Sequence, residues 1–61
     1  MTKEHKLYLE RLRRSGETNM FGAAPYLMTE FGLSLQDARK VLSEWMSTYD
    51  RNDPDYKEIA E

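Results

Sequence analysis

The apolar positions of this chain fall into helical spacings that short polar segments interrupt. Residues 2–14 contain neither Gly nor Pro, and their apolar or ring-bearing positions recur at i, i+3, i+4 and i+7 as His5, Tyr8, Leu9 and Leu12. This spacing predicts a helix over about residues 2–14. Thr2 is the expected cap at its start, and Gly16 is the expected stop.

A second helix is predicted over about residues 23–31. Pro25 lacks a backbone N–H, so it fits the first turn of a helix but not its interior. We therefore expect residues 19–22 to form a separate tight turn before this helix, with Thr18 and Asn19 as candidate caps. Gly32 is expected to end it. The side chains that it is expected to bury are Ala24, Leu27, Met28 and Phe31.

The third predicted helix, over residues 35–49, carries the most regular apolar stripe in the chain. Gly32–Ser34 connects it to the second helix, and Ser34 and Asp37 have the spacing of a capping box. The stripe is expected to form the spine of the core and consists of Leu35, Ala38, Val41, Leu42, Trp45, Met46 and Tyr49.

A short fourth helix over residues 54–60 is a further expectation, because Asp53 followed by Pro54 is a common helix start. The patterns together predict an all-α fold. Residues 1–61 are expected to form a single compact three-helix domain, with this short C-terminal helix as an addition.

The composition excludes most kinds of catalytic and metal-binding sites. The chain has 61 residues, no Cys and one His, so disulfides, thiolate metal sites and a Ser-His-Asp or Cys-His set are not available, and His5 alone cannot build a zinc site. The glycines at 16, 22 and 32 are too scattered for a phosphate loop. We therefore expect no enzyme, no catalytic residue, no metal site and no cofactor.

The charges are separated along the chain although the net charge is only −2. Residues 1–16 carry five basic and two acidic side chains, and residues 50–61 carry two basic and five acidic ones. Either the two ends attract each other or are simply solvated, or the basic end forms a patch for an acidic partner. Because no long apolar segment is present, we expect neither a membrane span nor a signal peptide, and the lack of Cys further favours a cytoplasmic protein.

The most distinctive segment is Leu12-Arg13-Arg14-Ser15-Gly16-Glu17-Thr18-Asn19-Met20-Phe21. It resembles a pattern, R-x-S-G-x-T-N-M-F, found in small uncharacterised proteins of bacteriophage and prophage origin. The resemblance covers about ten residues and implies an origin rather than a mechanism. The pattern continues with an acidic residue where this chain has Gly22.

This segment has two interpretations. In the first it is structural, because Gly16 stops a helix, polar residues cap the next one, and Met20 and Phe21 enter the core. In the second it forms an exposed corner that binds a partner, since Arg, aromatic and Met side chains are frequent anchors of such sites. The candidate partner-binding residues are then Arg13, Arg14, Asn19, Met20 and Phe21.

The second and third helices also match the skeleton of a helix-turn-helix motif, which is the alternative interpretation. In that case Gln36 would read a base edge, and Arg39 and Lys40 would contact phosphates or guanine. Two features count against DNA binding: Met28 stands where such motifs need a small residue, and acidic side chains at positions 37 and 44 share the helix that would approach phosphates.

The leading hypothesis is a small protein-binding module of phage or mobile-element type that modulates a host or phage protein. A structural or assembly subunit of a particle is the third hypothesis. The stripe of the third helix is wider than two short helices can easily cover, so a homodimer is a further candidate.

Overall fold

The computed structural model describes residues 1–16 and 22–59, which form three α-helices followed by a 3-10 helix. The helices are α1 (Lys3–Ser15), α2 (Ala24–Phe31) and α3 (Leu35–Thr48), and the 3-10 helix spans Pro54–Glu58. The described ranges contain no strand. The all-α prediction is therefore confirmed.

Local side-chain chemistry fixes the helix ends where the sequence predicted them. Thr2 Oγ1 accepts from the His5 N–H at 3.2 Å, and His5 Nδ1 accepts in return from the Thr2 N–H at 3.4 Å. Ser34 Oγ caps α3 by accepting from the Asp37 N–H at 3.1 Å. Gly16 and Gly32 end α1 and α2 with φ of 71° and 67°, values that residues with a Cβ rarely adopt.

α2 begins one residue later than predicted, with Ala23 as its N-cap and Pro25 in the first turn. Among the described residues, no side chain caps this helix. The predicted caps Thr18 and Asn19 lie outside the described residues, and so does most of the predicted turn over residues 19–22.

The core lies where α1 and α2 meet α3. Its buried apolar residues are Leu9, Leu12, Ala23, Ala24, Leu27, Ala38, Leu42 and Trp45. Tyr56 and Ile59, which follow α3, are also buried, at 4% and 8% exposure. The chain segment after α3 therefore belongs to the packed structure.

Two residues of the predicted α3 stripe lie outside the core. Leu35 is 42% exposed and Met46 is 39% exposed. Leu35 is the first residue of its helix, and Met46 is rotated by about 100° from the buried Trp45. The prediction that both belong to the spine of the core is wrong, and the reason is that the packed face of α3 is narrower than its apolar stripe.

The C-terminal helix is shorter and tighter than predicted. It is a 3-10 helix of five residues rather than a helix over 54–60, and extended backbone at Ile59 (φ −79°, ψ 120°) ends it. Its start agrees with the prediction, because Asp53 Oδ1 accepts from the Asp55 N–H at 3.0 Å. α3 likewise ends at Thr48, with Tyr49 as its C-cap.

Candidate partner-binding surfaces

The predicted residues Arg13 and Arg14 lie on the last turn of α1, where both bind Glu10. Arg13 Nε and Nη2 donate to the two carboxylate oxygens of Glu10 at 2.6 and 3.0 Å. Arg14 Nε donates to Glu10 Oε2 at 3.2 Å. The Arg13 side chain is 44% exposed, but its guanidinium group is held by the Glu10 carboxylate.

Glu10 itself is fully buried, with 0% exposure. Tyr49 at the end of α3 donates its hydroxyl to both Glu10 oxygens at 3.2 Å. Burial by itself raises the pKa of the Glu10 carboxyl, but the Arg13, Tyr49 and Arg14 contacts outweigh burial and lower this pKa below its ordinary value. Glu10 is therefore held as a carboxylate inside the fold.

Aromatic rings continue this polar cluster toward the C-terminal segment. The Arg13 guanidinium lies 5.5 Å from the centroid of the Tyr49 ring, and that ring is 4.8 Å from the Trp45 ring. Trp45 Nε1 donates to the Tyr56 hydroxyl at 2.9 Å. These contacts connect α1, α3 and the 3-10 helix.

Charged pairs also join the two ends of the chain. Lys6 Nζ lies 2.7 Å from carboxylate oxygens of both Asp53 and Asp55, and Lys3 Nζ lies 2.6 Å from Glu58 Oε1. Hydrogen bonds to the two aspartates raise the pKa of Lys6. Lys6 in turn lowers the pKa of Asp53. The structure thus shows direct attraction between the basic and the acidic end.

The structure describes only two of the five residues of the predicted corner. Arg13 and Arg14 both bind buried Glu10 and so have a structural role. Asn19, Met20 and Phe21 lie outside the described residues. Sequence reasoning did not find Glu10. The sequence signal that could have identified Glu10 is its position directly after Leu9, which is buried, and three and four residues before Arg13 and Arg14.

The predicted nucleic-acid residues lie together on the side of α3 that faces away from the core. The exposed residues that line one shallow groove there are Leu35, Gln36, Arg39, Lys40 and Ser43. With Met46 they make up what we call the α3 outer face. Within residues 1–16 and 22–59, neither Arg39 nor Lys40 has an ion-pair partner.

The α3 outer face has an apolar edge and an acidic edge. Leu35, Arg39 and Met46 are spaced at i, i+4 and i+11, so they follow one side of the helix over three turns. Asp37 and Glu44 follow the other side, and Glu44 Oε1 lies 3.2 Å from the N-terminal ammonium of Met1. The face therefore combines two exposed apolar side chains with two cations.

The connection between α2 and α3 has the length that a helix-turn-helix motif needs. The Gly32 N–H donates to the Met28 carbonyl at 2.9 Å, and three residues separate the two helices. Met28 is partly buried against the core. The position that favours a small residue in such motifs is thus filled by a long one.

A second surface feature lies between α1 and the C-terminal segment. We call it the basic cleft, and its lining residues are Arg14, Arg51, Asn52, Asp53, Tyr56, Lys57 and Ile59. Sequence reasoning missed this cleft, because it joins the end of α1 to residues about 40 positions further along the chain.

The described residues contain no group of three or more His, Cys, Asp or Glu side chains arranged to hold a metal ion. None of their helices has the length and apolar character to cross a membrane. Comparison with known protein families, curated proteins and solved structures gives no match for this chain. Its function must therefore be derived from its own surfaces.

Proposed function

We propose that this protein is a small, non-enzymatic protein-binding module that contacts its partner through the α3 outer face. The observation that carries the proposal is the exposure of Leu35 and Met46 on the same side of α3 as Arg39. Single exposed apolar residues are common, but here two of them bracket an arginine along one helix. Apolar side chains around an arginine are typical of the centre of protein interfaces.

The charges indicate the chemistry of the partner. Arg39 and Lys40 face solvent without a carboxylate from the described residues, so a partner with acidic side chains beside an apolar groove would complement them. A second copy of this chain fits less well. A two-fold pairing of two copies through the α3 outer face would bring the cations of both copies together.

The origin and location form part of the same proposal. The resemblance of residues 12–21 to phage and prophage proteins supports a phage or mobile-element origin, and with it the modulation of a host or phage protein. The lack of Cys agrees with a cytoplasmic location.

Quantitative affinity capture from a host lysate tests the proposal with matched variants. The first carries Leu35→Ser and Arg39→Glu on the α3 outer face. The control carries Tyr26→Ser and Arg11→Glu, since Tyr26 is similarly exposed at 37% and Arg11 is also exposed. We expect a specific partner to be depleted at least tenfold with the first variant and retained with the control.

Three outcomes contradict this assignment. One is that a folded α3 variant keeps every partner, and another is that the wild type captures nothing above background. The third is loss of the partner with Phe21→Ala but not with the α3 variant, which would place the interface at the predicted corner. Phe21→Ala is preferable to Arg13→Ala here, because removing Arg13 also disturbs buried Glu10.

DNA binding is the second candidate function, and one observation favours it. Gln36, Arg39 and Lys40 are all exposed in the first half of α3, the part of a recognition helix that contacts bases. The net charge of −2 and the acidic edge of the same helix disfavour approach to phosphates. A salt titration of binding to duplex DNA separates the two functions, because phosphate contacts make affinity fall steeply with salt. Our proposal predicts no such salt-dependent binding.

A further inference from the structure

We propose that the basic cleft is a binding site for a phosphate group. Its lining comes from the end of α1 and from residues 51–59, and it contains no residue of α3. The proposal is therefore independent of the α3 outer face. Tyr56 and Ile59 are buried within its wall, at 4% and 8% exposure, while Arg51 and Lys57 are exposed at its rim. With about 530 Å³, the cleft is large enough for a small ligand.

The charges of the lining are unbalanced. Three of the lining side chains are cationic, namely Arg14, Arg51 and Lys57, and one is a carboxylate, Asp53. That carboxylate already accepts from Lys6 Nζ at 2.7 Å. Arg51 and Lys57 make no ion pair with any residue in the described ranges. The lining side chains of the cleft thus carry a net positive charge.

At the α1 wall, Arg14 shares the buried Glu10 carboxylate with Arg13. The Arg14 side chain is 31% exposed at the cleft. Because Glu10 is fixed by Tyr49 as well, this wall is held in place before any ligand arrives.

The opposite rim is positioned by a tight turn. The Asn52 N–H donates to Asp50 Oδ1 at 2.9 Å, and the Asp53 N–H donates to the Asp50 carbonyl at 3.0 Å. This turn places Arg51 and the Asn52 amide next to each other in the lining. A phosphate group has several acceptor oxygens, so guanidinium and amide donors in a positively charged cleft can hydrogen-bond to it. Arginine in particular binds phosphate in a bidentate geometry.

An NMR titration of the 61-residue protein tests the site. Inorganic phosphate and adenosine monophosphate are added in separate series, with sodium chloride at matched ionic strength as the reference. We expect saturable shifts of the backbone amides of Arg51, Asn52 and Lys57 with phosphate but not with chloride. Arg51→Gln and Lys57→Gln should each weaken binding by about threefold to tenfold, and Arg39→Gln on the α3 outer face should leave it unchanged.

The two ligands separate the two sources of the phosphate group. Equal affinities support a site for phosphate alone, and tighter binding of the nucleotide supports a site that also contacts the nucleoside. Shifts that stay linear and match those with chloride would overturn the proposal. An equal loss of affinity in Arg39→Gln would also overturn it, and circular dichroism of each variant shows that the fold is retained.

Discussion

The Tyr49 hydroxyl donates to both carboxylate oxygens of Glu10 at 3.2 Å, which ties the C-terminal end of α3 to the middle of α1. Glu10 is completely buried, yet every buried polar side-chain atom among the described residues has a hydrogen-bond partner. The cluster therefore keeps a charge inside a very small core without leaving an unsatisfied group. It also orients Arg14, which lines one wall of the basic cleft.

Glu10→Gln should destabilise the protein by about 1–3 kcal/mol, because it removes a carboxylate that accepts hydrogen bonds from two arginines and a tyrosine. Arg13 and Arg14 are partly exposed and can be hydrated, so the loss of stability is smaller than for a fully buried ion pair. Urea unfolding followed by circular dichroism measures it. Glu58→Gln is the control, because it breaks only the exposed pair with Lys3 and should change the free energy of unfolding much less.

Tyr49→Phe should cost about 1–2 kcal/mol, since the ring contacts with Trp45 and Arg13 remain and only the hydroxyl is lost. The exposed Tyr26→Phe serves as the control and should be close to neutral. A double-mutant cycle with Glu10→Gln measures how much the charge of Glu10 strengthens the hydrogen bond from Tyr49, because the Gln oxygen can still accept. Strict additivity of the two substitutions would mean that this charge does not strengthen the hydrogen bond.

Tyr56→Phe should cost about 1–2 kcal/mol, because it leaves the indole N–H of the 2% exposed Trp45 without its acceptor. Trp45 is the only tryptophan of the chain, so its fluorescence reports directly on this contact. We expect a changed emission spectrum and a lower unfolding midpoint. An unchanged spectrum and midpoint would show that the 3-10 helix does not hold Trp45.

The stability should fall at acidic pH. The pKa of Glu10 and the pKa of Asp53 are both lower in the fold than in the unfolded chain, so protons bind the unfolded state first. The contribution of these groups is complete at neutral pH, begins to decline near the ordinary carboxyl pKa of about 4, and is lost as the pH falls through the lower folded values. Urea unfolding at a series of pH values measures this decline.

The variant Glu10→Gln should show a flatter decline, because one of the two groups no longer titrates. Glu30→Gln on the exposed side of α2 makes the same change in net charge and serves as the control. A wild-type slope in Glu10→Gln would assign the acid sensitivity to other carboxylates.

The fold was predictable from the sequence where its causes are local. Thr2, Ser34 and the glycines at positions 16 and 32 act within one helical turn, so the helix boundaries were predicted to within about two residues. The burial of Glu10 was not predictable in the same way, because it depends on Tyr49, which lies 39 positions away.

The candidate surfaces were likewise predictable only where they depend on local spacing. Gln36, Arg39 and Lys40 share a helix face by spacing alone, and the structure places them together. The α3 stripe was expected to exceed what the other helices cover, but periodicity did not identify Leu35 and Met46 as its exposed part. The basic cleft was missed because it requires the packing of the C-terminal segment against α1.

Photo-crosslinking tests most directly whether the α3 outer face is the interface. Benzoylphenylalanine is introduced at Met46 in one variant and at Tyr26, which is similarly exposed on α2, in another. Each variant is irradiated in host cells. The proposal predicts a defined crosslinked partner from position 46 that is absent from position 26 and disappears when Arg39→Glu is added. Crosslinks from position 26 alone, or crosslinks from position 46 that persist with Arg39→Glu, would contradict it.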